Sequence, residues 1–314
     1  MTSKPNKQIV ILEHGNGRLG NQLWNHISVL AYCLENGYRF KNHSFFDYYL
    51  SFVKPKPNLP VWIISHELIR KNPIYTLVRP YRRYINLIKK LLSNQVVYSG
   101  DLYQFYLPPS QPNRDEAELK KIRDFEKDSG QTLYFCGWMF RNPVGIKKYH
   151  QEITSSIVPN KKIDREVEGF IGKIRQKYEH LVGIHIRQGD YVNFMNGKYY
   201  FPPEKVPQIL HEYLNFSGIP KEKVCFVICS DGPIDKSNFT GLNIELGLGE
   251  AVRDLFTLSK TDLIIGSDST FGTFASYQGN KPFIVLSTPG QIDWEYYRDR
   301  KEFFENKYST LVFY

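Results

Sequence analysis

The 314 residues carry a formal net charge of +9, with 41% hydrophobic and 23% charged residues, which excludes a disordered chain and allows a well-filled core. That length exceeds one ordinary domain, so two domains sharing a cleft are expected, and the basic balance favours anionic partners such as nucleic acid, acidic lipid or phosphorylated small molecules. Cys33, Cys136, Cys225 and Cys229 lack the paired short spacing of a zinc site, and no leader core or membrane-length span stands out, so buried free thiols and a cytoplasmic location are expected.

Ile9 to Glu13 predicts a first strand, ending in the turn His14-Gly15-Asn16-Gly17. Leu19, Leu23, Trp24, Ile27 and Leu30 then recur at helical spacing, with a stop near Gly37 and a second strand over Tyr38 to Phe40. From Lys54 to Pro112, prolines at 55, 57, 60, 73, 80, 108, 109 and 112 predict an insert of short helices and connections rather than sheet. Within it Arg79 to Leu92 forms a basic amphipathic helix, with Arg82, Arg83, Lys89 and Lys90 against Tyr81, Tyr84, Ile85, Ile88 and Leu92. It suits an anionic membrane surface, and equally an ordinary packed helix with one solvated face.

Thr132 to Cys136 reads as a strand and Val144 to Ile157 as a helix ending before Pro159, which places a domain boundary after residue 158. Ile163, Val167, Phe170, Ile171, Ile174 and Tyr178 trace one face of a helix over Ile163 to Glu179. Strands at Leu181 to Ile186, Val224 to Cys229, Leu263 to Ile265 and Phe283 to Leu286 alternate with helices such as Val206 to Leu214 and Glu250 to Leu258. The expectation is an α/β chain with domains 1–158 and 159–314, the second a parallel doubly wound sheet.

Three strand ends carry chemistry. His185-Ile186-Arg187-Gln188-Gly189-Asp190-Tyr191 places charge abruptly at the carboxyl edge of a sheet, where open α/β sheets bind ligands. Arg187 offers a diphosphate a planar fork of charge-assisted hydrogen bonds. A structural Arg187 to Asp190 ion pair is the competing reading, and a satisfied core histidine the competing reading for His185. Ser230-Asp231-Gly232 follows the next strand, and Gly266-Ser267-Asp268-Ser269-Thr270-Phe271-Gly272 leads into a helix, as a phosphate cradle or as simple N-caps. Gly15-Asn16-Gly17-Arg18-Leu19-Gly20 formally satisfies the dinucleotide glycine fingerprint, with Asn21-Gln22 adding amides on the first helical turn. Lys41 follows the second strand where a nicotinamide-binding fold needs an acid, which ranks an oxidoreductase low.

Together, Gly17 to Leu23, His185 to Tyr191, Ser230-Asp231 and Ser267 to Phe271 resemble, in order and spacing, the motifs of α-1,2-fucosyltransferases of glycosyltransferase family 11 and the related protein O-fucosyltransferases. The resemblance spans residues 9 to 286. It implies a GT-B architecture, two Rossmann-like domains facing a cleft, the first on the acceptor side with its variable insert shaping the acceptor site and the second binding the nucleotide sugar, and metal-independent, inverting transfer of fucose from GDP-fucose, with no cofactor beyond that substrate. It implies that Arg187 holds the donor phosphate, with Arg18, Gly20, Asn21, His185, Asp190, Asp231, Asp268, Ser269, Thr270 and Phe271 lining the donor site. Gln188 and Asp268 depart from the family pattern, which has arginine and asparagine there. The acceptor is expected to be a glycan or glycolipid, with galactose the family's usual site; Asp47, Glu13 and Asp190 are the conceivable bases. A transferase of another GDP-sugar and a non-enzymatic polyanion binder are the alternatives, and no standard motif supports nucleic acid.

Overall fold

The computed structural model describes residues 7–13, 17–44, 48, 51–54, 78–98, 103–104, 116–128, 130–137 and 140–305. The chain divides into two compact units, Met1–Asn160 and Lys161–Tyr314, a division just beyond the boundary read from the sequence.

The first unit runs β1 (Gln8–Glu13), α1 (Leu19–Asn36), β2 (Arg39–Asn42), β3 (Phe52–Lys54), α2 (Val78–Leu91), β4 (Val96–Tyr98), β5 (Tyr103–Gln104), α3 (Glu116–Lys127), β6 (Thr132–Cys136), β7 (Phe140–Arg141), α4 (Pro143–Lys148), α5 (His150–Ser156) and β8 (Val158–Pro159). Its main sheet is parallel in the order β2-β1-β6-β4. β1 is apolar on both faces because both are covered. Ile9 and Ile11 pack with Val29 and Tyr32 of α1 and Phe125 of α3. Val10 and Leu12 pack on the other side with Val96 and Ile88. α1 stops at Gly37, whose φ of 68° is left-handed, while the Tyr38 N–H returns to the Cys33 carbonyl at 2.9 Å.

Two expectations for this unit need correction. The insert is not free of sheet: Val96–Tyr98 pairs in register with Tyr134 to Cys136 as the edge strand. The helix expected over 144–157 breaks at Tyr149, whose φ of −108° and ψ of 28° leave the helical range. Ile146 and Ile153 remain buried on either side of the break, so the hydrophobic period runs straight through it. The amphipathic helix forms as α2, but Lys89 leaves the solvated face to pair with Glu13 and to lie 5.9 Å from the centre of the Tyr98 ring.

The second unit runs α6 (Lys161–Arg175), β9 (His180–Ile186), α7 (Val206–Ser217), β10 (Val224–Ser230), β11 (Ile244–Leu246), α8 (Ala251–Ser259), β12 (Leu263–Gly266), α9 (Thr270–Gly279), β13 (Phe283–Val285) and α10 (Trp294–Tyr297). Every pair in its sheet is parallel and the order is β11-β10-β9-β12-β13. Val182, Ile184 and Ile186 pack under Val206, Ile209, Leu210 and Tyr213 of α7. Gly183 points the other way, where an added Cβ would lie 2.9 Å from Leu258 Cδ2 and 2.7 Å from Thr261 Oγ1. Helices therefore cover both faces, the doubly wound arrangement. Ion pairs Arg253 to Glu166 and Lys260 to Glu168, both at 2.6 Å, tie α8 and the turn after it to α6.

Candidate active site

Strand order reverses between β9 and β12, the two strands whose loops carry the sequence motifs. At such a point the loops above neighbouring strands diverge to opposite faces and leave a crevice at the carboxyl edge. Here the two loops are stitched: the Ser267 N–H donates to the His185 carbonyl at 2.9 Å, and the Arg187 N–H donates to Ser267 Oγ at 2.9 Å.

Arg187 occupies the crevice edge with its side chain 15% exposed. One terminal nitrogen meets Asp190 Oδ1 at 2.6 Å and the other Asp231 Oδ2 at 2.7 Å, while the guanidinium lies 5.5 Å from the centre of the Tyr191 ring. The competing ion-pair reading is thus realised, and doubled. Two carboxylates fix the guanidinium plane and still leave some of its five N–H groups for a ligand. Asp231, expected from the sequence as a nucleotide contact, also holds the loop: its Oδ1 accepts the Gln188 N–H at 2.7 Å. A Cβ added at Gly189 would lie 2.5 Å from Asp231 Oδ2, so a side chain there would push that carboxylate off Arg187.

Gln188 stands where the resembled family has a second arginine, and the structure gives it a different task. Its amide nitrogen donates to Ser230 Oγ at 2.9 Å and to the Pro233 carbonyl at 2.9 Å, joining the loops after β9 and β10. Asp268 is partly exposed, and its backbone carbonyl accepts the Tyr191 hydroxyl at 3.2 Å.

His185 is 4% exposed and stacks on Phe271 with ring centres 4.9 Å apart, its Nδ1 3.3 Å from Ser269 Oγ. Burial, aided by Arg187, pushes its pKa down to about 3, so the ring is neutral at working pH. Its ring is buried against Phe271. Ser269 is the N-cap of α9 and accepts from the Gly272 N–H at 3.4 Å; Thr270 is the first helical residue. The α9 amino terminus, with its positive dipole end, therefore lies above β12 beside Arg187.

In the first unit the strand order reverses between β1 and β6, and the Gly17 loop with the start of α1 follows β1 there. Arg18 is exposed and is the N-cap of α1 without a side-chain cap bond. Gly20 is buried; Asn21 is partly buried and its Oδ1 has no hydrogen-bond partner among the described residues. Gln22, by contrast, closes the turn with a 3.0 Å bond from Nε2 to the Gly17 carbonyl. Of the conceivable bases, Glu13 is paired with Lys89, Asp190 with Arg187, and Asp47 lies outside the described residues.

The second unit thus brings together Arg187, Asp190, Asp231, His185, Asp268, Ser269, Thr270 and Phe271 along one sheet edge. Arg18, Gly20 and Asn21 hold the corresponding edge of the other sheet. Sequence reasoning passed over Tyr191 and Ser267 as individual contributors. The only available signal for Ser267 was a small hydroxyl one residue past a buried strand. Among the described residues no group of three or more His, Cys, Asp or Glu side chains could hold a metal, and no helix is long and apolar enough to cross a membrane.

No protein-family model and no curated protein sequence matches the chain. Solved structures do. POFUT1 in complex with GDP-fucose is similar with a TM-score of 0.53 at 12% identity, over 91% of this chain and 99% of that one. The fucosyltransferase NodZ from Bradyrhizobium is similar with a TM-score of 0.51 at 14% identity, over 93% of this chain and 98% of that one. NodZ alpha-1,6-fucosyltransferase co-crystallized with GDP gives 0.50 at 14% identity, over 92% and 98%. At such identities the likeness is one of fold, and it shows the expected α/β fold with two Rossmann-like domains of the GT-B kind.

Proposed function

We propose that this protein transfers fucose from GDP-fucose to a hydroxyl of a glycan or glycolipid, without a metal and with inversion at the anomeric carbon, forming an α-1,2 linkage to galactose. The observation that carries this reading is Arg187. It sits at the strand-order reversal of a parallel doubly wound sheet, its plane fixed by Asp190 and Asp231, with the loop that leads into α9 bonded to its backbone. The fold neighbours, POFUT1 and NodZ, hold GDP or GDP-fucose, which supports a GDP-sugar donor here.

In the proposed reaction the acceptor oxygen attacks the fucose anomeric carbon through an oxocarbenium-like transition state. The carbon–oxygen bond to GDP breaks and its electron pair stays on the phosphate. Arg187 and the N–H groups at the start of α9 stabilise that charge, an effect worth about 3 kcal/mol per preorganised donor. Asp190, half-exposed and paired with Arg187, is the carboxylate assigned to take the acceptor proton. α2, with Leu87 and Leu91 exposed beside Arg83 and Lys90, gives this reading a peripheral contact with anionic lipid from the cytoplasmic side.

Another GDP-sugar is the second reading. It is favoured by Gln188, whose amide is committed to Ser230 and Pro233 and adds no positive charge beside the phosphate. Calorimetric titration with GDP, GDP-fucose and GDP-mannose in EDTA, against UDP, ADP and NAD, tests both. Guanine-selective binding with GDP-fucose the tightest sugar donor is expected, whereas equal binding of UDP or ADP would remove the reading.

A further inference from the structure

We propose that the aromatic group Tyr191, Phe194 and Tyr199, on the loop that leaves β9 just after Arg187, is the acceptor subsite and seats a neutral pyranose of the acceptor saccharide. This deepens the fucosyl-transfer reading and rests on it. Tyr191 and Phe194 stack with ring centres 5.6 Å apart at 18°, and Tyr199 lies 6.1 and 6.0 Å from them. Three rings in mutual contact would ordinarily form a small core, yet only Tyr191 is buried. Phe194 is 43% exposed, and its neighbours Val192 and Met195 are 52% and 59% exposed. Met195 and Asn196 hold φ of 47° and 59°, the left-handed turn, which Asn tolerates and Met seldom adopts, that leads the chain from Phe194 towards Tyr199.

The neighbourhood selects the occupant. An exposed aromatic face takes the C–H face of a pyranose, whose hydroxyl edges then need planar polar partners. Asp190 supplies one: its side chain is half-exposed while its Oδ1 is held by Arg187. Asn193 lies exposed on the same turn. Tyr191 joins the platform to the donor side, since its ring faces the Arg187 guanidinium and its hydroxyl bonds the Asp268 carbonyl. A neutral polyol suits a patch next to that carboxylate, whereas anionic lipid headgroups would be repelled by it.

The test uses lactose and N-acetyllactosamine as probes, titrated by saturation-transfer NMR onto the full chain with GDP present. The variants are Phe194→Ala, Tyr199→Ala and Phe194→Leu, the last keeping apolar volume without a ring. The wild type is expected to bind both saccharides, and each variant to weaken them about tenfold, the loss of one aromatic contact. GDP affinity is expected to stay within about twofold, because none of these side chains reaches the phosphate clamp. Unchanged saccharide affinity in both alanine variants, or no saccharide binding by the wild type, overturns the proposal. So does binding of phosphatidylserine vesicles that Phe194→Ala abolishes while lactose binding is untouched. GDP binding without a platform effect defeats only this subsite, and absence of GDP binding defeats the donor reading instead.

Discussion

Replacing Arg187 by alanine separates the two roles its position allows, a structural tie between loops and a clamp for phosphate. The substitution removes the 2.6 Å pair with Asp190 and the 2.7 Å pair with Asp231. Asp190 is half-exposed, so its pair contributes about 0.5 kcal/mol after solvent screening. Asp231 is 26% exposed and faces a guanidinium that is 15% exposed, so losing this charge-assisted contact costs about 1.5 kcal/mol. The sum, about 2 kcal/mol, lowers the melting temperature of a unit of this size by roughly 4–8 °C. A clamp predicts a second and larger effect. Two charge-assisted hydrogen bonds to a diphosphate are worth about 3 kcal/mol together, which is roughly a hundredfold in GDP affinity. The assay is differential scanning fluorimetry with calorimetry of GDP on the folded variant, and Arg187→Lys, which keeps charge but not the planar fork, is expected to fall between. A folded Arg187→Ala that melts lower but binds GDP within about threefold of wild type would refute the clamp and leave only the tie.

Three further outcomes follow from the geometry. Gly279→Ala places a Cβ 2.1 Å from the Ser259 carbonyl oxygen, a backbone atom that cannot step aside, so the α8 to α9 contact should open at a cost of about 3 kcal/mol or more; a thermal melt unchanged within 2 °C or so would contradict that close approach. His26 and His185 are each held down to about 3, and His43 to about 4, chiefly by burial, so their neutral forms stabilise the fold above the ordinary histidine value of 6.5 and that stability is lost as pH falls from 6.5 towards 3. At pH 5 each fully buried ring should cost about 2 kcal/mol; Asp254, raised to about 6 by burial, works in the opposite sense and offsets part of the loss. Melting temperatures measured from pH 7 to pH 4.5 should therefore fall, and less steeply in His185→Asn; a flat profile would show that these rings are not buried as described. Fucosyl transfer is expected to proceed at the same rate in EDTA, and a rate restored only by added divalent cation would overturn the metal-independent mechanism.

The sequence by itself determined the elements whose evidence is local. Ile9 to Leu12 and Val224 to Cys229 are apolar without alternation because both faces of each strand are covered, and that pattern reads directly as a buried parallel strand. Gly37 marked the end of α1 because the position needs a left-handed backbone. Arg187, Asp190, Asp231 and the Ser267 to Phe271 run stood out because charge and hydroxyls follow apolar strands abruptly there, at the carboxyl edge where open α/β sheets bind ligands. The tertiary structure decided what no local pattern encodes. Val96–Tyr98 is too short to declare itself and becomes a strand only by pairing with residues 134 to 136, far along the chain. That Asp231 holds Arg187 and Gln188, and that His185 stacks on Phe271, depends on which loops come within 3–5 Å or so of each other. That distance is set by strand order, because hydrogen bonds and ion pairs act only at contact, and contact between distant residues is a property of the packed fold.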